Sequence, residues 1–219
     1  MTMTHQIPDF PDLQFGSIYC IGRNYAKHAK ELKNEIPSNP VVFLKPRSSL
    51  IFNGEAIQIP ESSDNVHHEV EMVILIGETA KNISKEDALK SIGAIGVGLD
   101  MTARDLQSEA KLKGLPWTVA KGFDTFAPLG NLAKYHSGTD LKNLDISVSV
   151  NGEVRQKGNT SDMLFPVANL IAYLSERFTL TPGDLIYTGT PEGVSKVEKG
   201  DLIKASLGNG LSSLQVHVS

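Results

Sequence analysis

The stretch His67-His68-Glu69-Val70-Glu71-Met72-Val73-Ile74-Leu75-Ile76-Gly77 decides how this chain is read. Its second half is apolar, rich in β-branched residues and closed by a glycine, which is the pattern of a buried strand. Strand side chains alternate between faces, so Glu69 and Glu71 project from the same one. Two converging carboxylates repel each other, and burying either unpaired costs roughly several kcal/mol. A divalent cation that prefers oxygen ligands is the natural partner.

Working outward, residues 1–16 carry prolines and little periodicity and are expected to be an irregular lead-in to one domain over residues 17–219. Strands are expected at 17–21, 41–44, 93–100 and 185–188, with 57–60 as an edge strand stopped by Pro60. Asn151-Gly152 marks a hairpin joining 144–150 to 153–156, and Asn209-Gly210 another within 202–218. Helical spacing predicts segments around 26–32, from Ser84 to 92, from Thr102 or Ala103 to 113, and over 163–178. Residues 114–124 are too irregular to name. The fold class is α+β and strand-dominated, without the βαβ alternation of a parallel sheet.

The chain has 219 residues, a formal net charge of −4 and no basic run, which argues against nucleic acid as a partner. One cysteine, Cys20, excludes an internal disulfide and a cysteine-built metal site. The N-terminal residues lack a signal-peptide pattern, no apolar run is long enough to span a bilayer, and a soluble cytoplasmic protein is expected.

The strand-terminal Asp100 joins Glu69 and Glu71 as a third carboxylate, and an all-oxygen set selects Mg²⁺ or Mn²⁺ and also admits Ca²⁺. Solvated acids at strand ends are the ordinary alternative. His67 and His68 alternate faces and are read as supporting rather than ligating residues. His28 and Glu31, three apart on a helix, have the form of a general base oriented by an acid, although an exposed helical pair has the same spacing. Lys121 lies among apolar neighbours, a place for a cation that holds an oxyanion or a carboxylate. Residues 189–193, Gly-Thr-Pro-Glu-Gly, can present backbone N–H groups and the Thr190 hydroxyl to a carboxylate; a tight turn is the alternative. Arg104 and Gln107 share a helix face near Asp100.

These residues sit in segments that resemble the fumarylacetoacetate hydrolase family, most closely its short acylpyruvase and oxaloacetate decarboxylase members. The segments are 20–28 (Cys-Ile-Gly-Arg-Asn-Tyr-Ala-Lys-His), 43–46 (Phe-Leu-Lys-Pro), 67–71 (His-His-Glu-Val-Glu), 99–107 (Leu-Asp-Met-Thr-Ala-Arg-Asp-Leu-Gln), 113–121 (Lys-Gly-Leu-Pro-Trp-Thr-Val-Ala-Lys), 150–156 (Val-Asn-Gly-Glu-Val-Arg-Gln) and 188–193 (Thr-Gly-Thr-Pro-Glu-Gly). The resemblance implies a mixed β-sandwich roll with a few flanking helices, usually a homodimer, with one Mg²⁺ or Mn²⁺ per subunit on Glu69, Glu71 and Asp100. It also implies a lid carrying His28 and Glu31, substrate contact by Lys121, and a pocket lined by Arg104, Gln107 and Thr190. Two departures bear on substrate preference: Gly122 stands where relatives often carry serine, and Ser195 where glycine is frequent.

The expected activity is metal-dependent cleavage of the C3–C4 bond of a 2-oxo acid, either hydrolysis of an acylpyruvate or fumarylpyruvate, or decarboxylation of oxaloacetate. An isomerase, tautomerase or decarboxylase of hydroxymuconate-type or enol dicarboxylates is the alternative. A non-catalytic metal or 2-oxo-acid binding module is disfavoured, because binding alone needs neither the His28/Glu31 pair nor Lys121.

Overall fold

Every residue of Val70–Ile76 is buried, and its alternation divides the interior in two. Val70, Met72, Ile74 and Ile76 enter a larger core, whereas Val73 and Leu75 enter a smaller one with Cys20, Leu129 and Tyr187. A strand covered on both faces shows a continuous apolar run instead of polar alternation. The computed structural model describes residues 6–7, 10–32 and 35–219.

In chain order the main elements are β1 (Ile18–Gly22), α1 (Ala26–Glu31), β2 (Val41–Lys45), β3 (Val66–His68), β4 (Val70–Ile76), β5 (Ile92–Leu99), α2 (Arg104–Lys113), α3 (Thr118–Lys121), β6 (Asp145–Val150), β7 (Glu153–Asn159), α4 (Val167–Arg177), β8 (Leu185–Tyr187), β9 (Leu202–Leu207) and β10 (Ser212–Val218). One sheet runs Ala133–Lys134, β5, β4, β8, β1, β2, and is antiparallel except for the parallel pair β8–β1. A second runs β7, β6, β9, β10, Ala56–Ile57. The larger core lies between them: Ile146, Val148, Ile203, Leu214 and Val216 of the second sheet meet Met72, Ile74, Ile95 and Val97 of the first, with Leu170, Ile171 and Leu174 of α4 on the same cluster. Along β10 buried and exposed residues alternate, as in a half-solvated antiparallel strand. The architecture is thus the expected strand-rich α+β sandwich with flanking helices.

Several local expectations change. The strand from His67 is two strands, because Val70 N–H donates to the Gln156 side chain (3.0 Å) and β3 joins a separate small sheet with Thr102–Ala103 and Ser195–Lys196. In the N-terminal lead-in, Phe10–Gln14 is a strand paired with Gln6–Ile7; the rest of that segment up to residue 9 lies outside the described residues. The helix begun at Ser84, whose hydroxyl accepts Asp87 N–H, spans only Lys85–Ala88 before a 3₁₀ turn. The helix expected over 163–178 starts at Val167, since Pro166 fits only the entry to a helix. Residues 118–121 form a short helix that their irregular composition concealed. Of 57–60, only Ile57 is in a strand. The Asn151-Gly152 hairpin has φ of 52° and 85° at its tip, as a type I′ turn requires.

Gly98 shows how tightly β5 is packed beside the site. It pairs with Glu71 across the sheet, and a Cβ there would lie 2.7 Å from Tyr187 Cε1, 2.8 Å from Val73 Cγ2 and 3.0 Å from the Pro128 carbonyl. Ring and valine are both buried with no room to retreat. Gly98→Ala is therefore expected to lower stability by about 1–3 kcal/mol, read as a shift of the urea midpoint; an unmoved midpoint would show that β5 has slack.

Candidate active site

Antiparallel pairing of β4 with β5 brings the three acids together. The register sets Glu71 opposite Gly98 and Val70 opposite Leu99, and Asp100 N–H donates to the Glu69 carbonyl at 2.8 Å. Asp100 therefore leaves its strand beside Glu69. Carboxylate oxygens of Glu69, Glu71 and Asp100 lie within 4.8 Å of one another, and all three residues are buried.

Three buried negative charges require compensation. Glu69 accepts hydrogen bonds from Arg104 through one oxygen and from Lys121 through the other, the latter at 2.8 Å. Asp100 is paired with Lys121 through Oδ2 and with Lys45 Nζ through Oδ1 at 2.7 Å. Burial pushes the Glu69 carboxyl up, but Lys121, Arg104 and His28 overcome it and hold the group well below the carboxylate range. Glu71 differs. It accepts only the Gly189 N–H (2.7 Å) and has no ion-pair partner among the described residues. Burial first, then Asp100 and Glu69, drive its carboxyl well above the usual range. A divalent cation supplies the charge that Glu71 lacks, and an all-carboxylate set suits a hard cation. The residues present fit such an ion: Glu69, Glu71 and Asp100 form a divalent-metal site of the Mg²⁺/Mn²⁺ type.

Backbone geometry aims Gly189 at this site. Its φ is 101°, and a Cβ would fall 2.6 Å from the Asn24 Cβ, so only glycine permits the approach that points its N–H at Glu71.

A cleft opens onto Glu69 and Glu71 and is lined among others by His28, Arg104, Gln107, Lys121 and Thr190. His28 is buried, its Nδ1 3.3 Å from Glu31 Oε2, and burial pushes the imidazole below its ordinary value despite the neighbouring Glu69 and Glu31. Glu31 in turn accepts the Gly193 N–H at 3.1 Å, tying α1 to the 189–193 loop. Arg104 donates to Gln107 Oε1 at 2.7 Å as well as to Glu69. The structure thus brings His28, Lys121, Arg104, Gln107 and Thr190 onto one cleft with the carboxylates, and places Glu31 behind His28.

The two histidines lie outside the carboxylate cluster. His67 Nε2 is 2.9 Å from Asn65 Oδ1, and burial together with Arg104 pushes its imidazole down to about 4. Fully buried His68 belongs to a directional network. Val70 N–H can only donate and the Pro191 carbonyl only accept, so Gln156 presents its oxygen to Val70 and its NH₂ to Pro191 (2.8 Å). His68 then donates from Nδ1 to Gln156 (2.9 Å) and accepts the Ser195 hydroxyl at Nε2 (2.8 Å). Gln156 also donates to Thr190 Oγ1 at 2.8 Å, which leaves the Thr190 proton uncommitted among the described residues. Gln156 and Lys45 also belong to the site, beyond the residues that the sequence singles out. A lysine ending an apolar strand before Pro46 was a signal for a buried partnered charge; Gln156, in a strand of polar residues, carried none.

Comparison with known proteins agrees with this geometry. The family model of the fumarylacetoacetate (FAA) hydrolase C-terminal region matches residues 17–219. The mitochondrial oxaloacetate tautomerase FAHD1 of Arabidopsis thaliana is 51% identical over 92% of this chain and 90% of its own length. The mitochondrial oxaloacetate decarboxylase of Dictyostelium discoideum is 49% identical over 87% of this chain and 88% of its own. The crystal structure of fumarylpyruvate hydrolase from Pseudomonas aeruginosa, in complex with Mn²⁺ and pyruvate, superposes with a TM-score of 0.89 at 37% identity, covering 94% of this chain and 90% of that one. The expected cytoplasmic location is corrected by these relatives, since the plant and bovine proteins of this kind are mitochondrial. A single buried thiol does not tell one reducing compartment from another. Among the described residues no helix is long and apolar enough to cross a membrane. The chain belongs to the fumarylacetoacetate hydrolase family, in its short acylpyruvase and oxaloacetate decarboxylase-like branch.

Proposed function

We propose that this chain is a divalent-metal-dependent enzyme that cleaves the C3–C4 bond of 2-oxo acids, hydrolysing acylpyruvates or fumarylpyruvate and decarboxylating oxaloacetate. The observation that carries this reading is a cluster of three buried carboxylates, two of which line one cleft with a buried histidine and a buried lysine. Mg²⁺ or Mn²⁺ on Glu69, Glu71 and Asp100 would supply charge stabilisation for the enolate that bond cleavage releases.

The remaining work falls to side chains of the chain. His28 is neutral near pH 7, because burial depresses its proton affinity, and a neutral imidazole can take a proton from water. Glu31 orients the ring and stabilises it once charged. The hydroxide so formed adds to the distal carbonyl, the C3–C4 bond breaks, and its electron pair passes to the pyruvate enolate. Protonation at C3 completes pyruvate and a carboxylic acid. With oxaloacetate, loss of CO₂ yields the same enolate without the water. Lys121 offsets developing negative charge, while Arg104, Gln107 and Thr190 hold the substrate, Thr190 through its uncommitted proton. We read α1 as a lid, held by the Glu31–Gly193 hydrogen bond and by Lys27 with Glu192 at 3.6 Å.

Keto–enol tautomerisation of oxaloacetate is the second reading, favoured by the oxaloacetate tautomerase relatives. The products separate the two, since cleavage yields two molecules and tautomerisation one. We further propose a homodimer, supported by exposed Leu112 of α2, Val119 of α3 and Leu44 of β2 on adjoining segments, with exposed Leu115 in the connection between the two helices. Light scattering is expected to give twice the chain mass, and a monomer at micromolar concentration would reject the dimer.

Chelation with EDTA is expected to abolish turnover and Mg²⁺ to restore it. Glu71→Gln should weaken Mn²⁺ binding by at least ~100-fold without lowering the melting temperature of the metal-free protein, because it removes an uncompensated buried acid. Turnover by that variant in EDTA would refute the metal-dependent reading.

Protonated His28 is inactive as a base. For acylpyruvate hydrolysis kcat/KM should thus be flat at neutral pH and fall as pH drops through the depressed imidazole value, below ~6.5. His28→Gln should cost about 10²–10⁴-fold in hydrolysis, remove that acid limb and spare more of the oxaloacetate decarboxylation. Retention of the limb in the variant would assign it to another group.

A further inference from the structure

Two cations at the mouth of the cleft take no part in the chemistry above. Arg23 follows β1 directly, and Lys111 lies in the last turn of α2. Both line the cleft, and both flank the Trp117 ring, at 5.9 Å and 5.4 Å from its centroid. Deeper in, Lys45, Arg104 and Lys121 are each tied to a carboxylate. Among the described residues neither Arg23 nor Lys111 forms an ion pair, and Arg23 Nε is buried without a hydrogen-bond partner.

Among the described residues, positive charge is therefore balanced at the bottom of the cleft and unbalanced at its mouth. Crowding cations is unfavourable, and Lys111 registers it: burial, then Arg104 and Arg23, push its ammonium down to about 8. Packing on an aromatic face is worth only ~0.5–1 kcal/mol at an exposed site, which is little reason to collect two cations on one ring. Arg23 is also held in place at some cost, with a φ of 59°. The next residue, Asn24, is pinned by hydrogen bonds to the Thr188 and Phe165 carbonyls at 2.7 and 3.1 Å and by accepting the Phe165 N–H at 2.8 Å. The backbone that presents Arg23 is thus anchored to the loop leading into Thr190.

We propose that Arg23 and Lys111, seated against Trp117, form a subsite for the distal carboxylate of the substrate, so that the cleft selects dianionic 2-oxo acids over those with an uncharged tail. The inner site takes the carboxylate and 2-oxo group common to all these acids, and the mouth reads the second charge. This rests on the 2-oxo-acid reading above and adds the substrate class to it.

The test compares oxaloacetate with acetylpyruvate, whose tail is an uncharged methyl ketone, in the wild type, Lys111→Gln, Arg23→Gln and the double variant, all loaded with Mn²⁺. The ratio of kcat/KM for oxaloacetate to that for acetylpyruvate is expected to fall about 10–100-fold per lost charged hydrogen bond, chiefly through KM for oxaloacetate, and Lys111→Arg should restore most of it. Equal effects on both compounds, or none, would overturn the subsite. If Arg23→Gln does not fold, Lys111→Gln, on a half-buried side chain, decides alone. Binding is measured separately by calorimetry with pyruvate and 2-oxoglutarate. Preference for the dianion that is lost in Lys111→Gln supports the subsite, and preference unchanged by it rejects the subsite. A wild type that binds both yet turns over neither compound would defeat the proposed reaction and leave the subsite judged by binding.

Discussion

Three carboxylates buried within 4.8 Å of one another are the constraint to which the rest of the molecule answers. In a low-dielectric interior such charges are tolerated only when paired, and removing one partner of a buried pair costs about 3–5 kcal/mol. Lys45, Lys121 and Arg104 converge on Glu69 and Asp100 from three separate segments. Among the described residues Glu71 is left with a single backbone hydrogen bond. The incompleteness of that compensation gives the site its affinity for a cation, because a fully paired cluster would have nothing to gain from one.

The scaffold follows from where these acids must sit. Glu71 shares the face of β4 that carries Val73 and Leu75 toward the smaller core, while Met72, Ile74 and Ile76 anchor the strand in the larger one. A strand gripped on both faces has little freedom to slip, and a slip of one residue would send every side chain to the other face. Close approach of β5, allowed by Gly98, and of the 189–193 loop, allowed by Gly189, brings Asp100 and a backbone donor up to Glu71. Around this rigid centre lie groups held by lighter contacts. Glu31 is tied to Gly193 by a hydrogen bond near the surface, and Lys27 to Glu192 by an exposed ion pair. Rigidity where charge is concentrated and lighter attachment where substrate enters suit a site that must keep its ligands fixed and still admit a small acid.

Charge also grades along the cleft. Cations at its base are neutralised by the protein's own acids, and among the described residues cations at its mouth are not. A small anion approaching from solvent therefore meets uncompensated positive charge first, which favours encounter as well as binding. The Ser195–His68–Gln156–Thr190 network orients one more donor toward the same space without adding net charge, since His68 is neutral and its ring nitrogens have fixed roles.

Local grammar and the chemistry of single residues were legible in the chain before it folded. The apolar run at 72–76 announced a buried strand, Asn151-Gly152 announced its hairpin, and three hard acids without cysteine narrowed the metal to an oxygen-seeking divalent ion. Each of these rests on interactions between near neighbours or on the nature of a single side chain. Tertiary structure decided the rest. The break at Glu69 depends on Gln156, 87 positions away in the chain, and the helix at Thr118–Lys121 on packing that its composition does not encode. Lys45 became part of the site only when folding laid it against Asp100. Arg23, Lys111 and Trp117 likewise meet only in the folded chain. Compensation of buried charge is a sum over groups distant in sequence, and no local pattern can state it before the chain has closed around them.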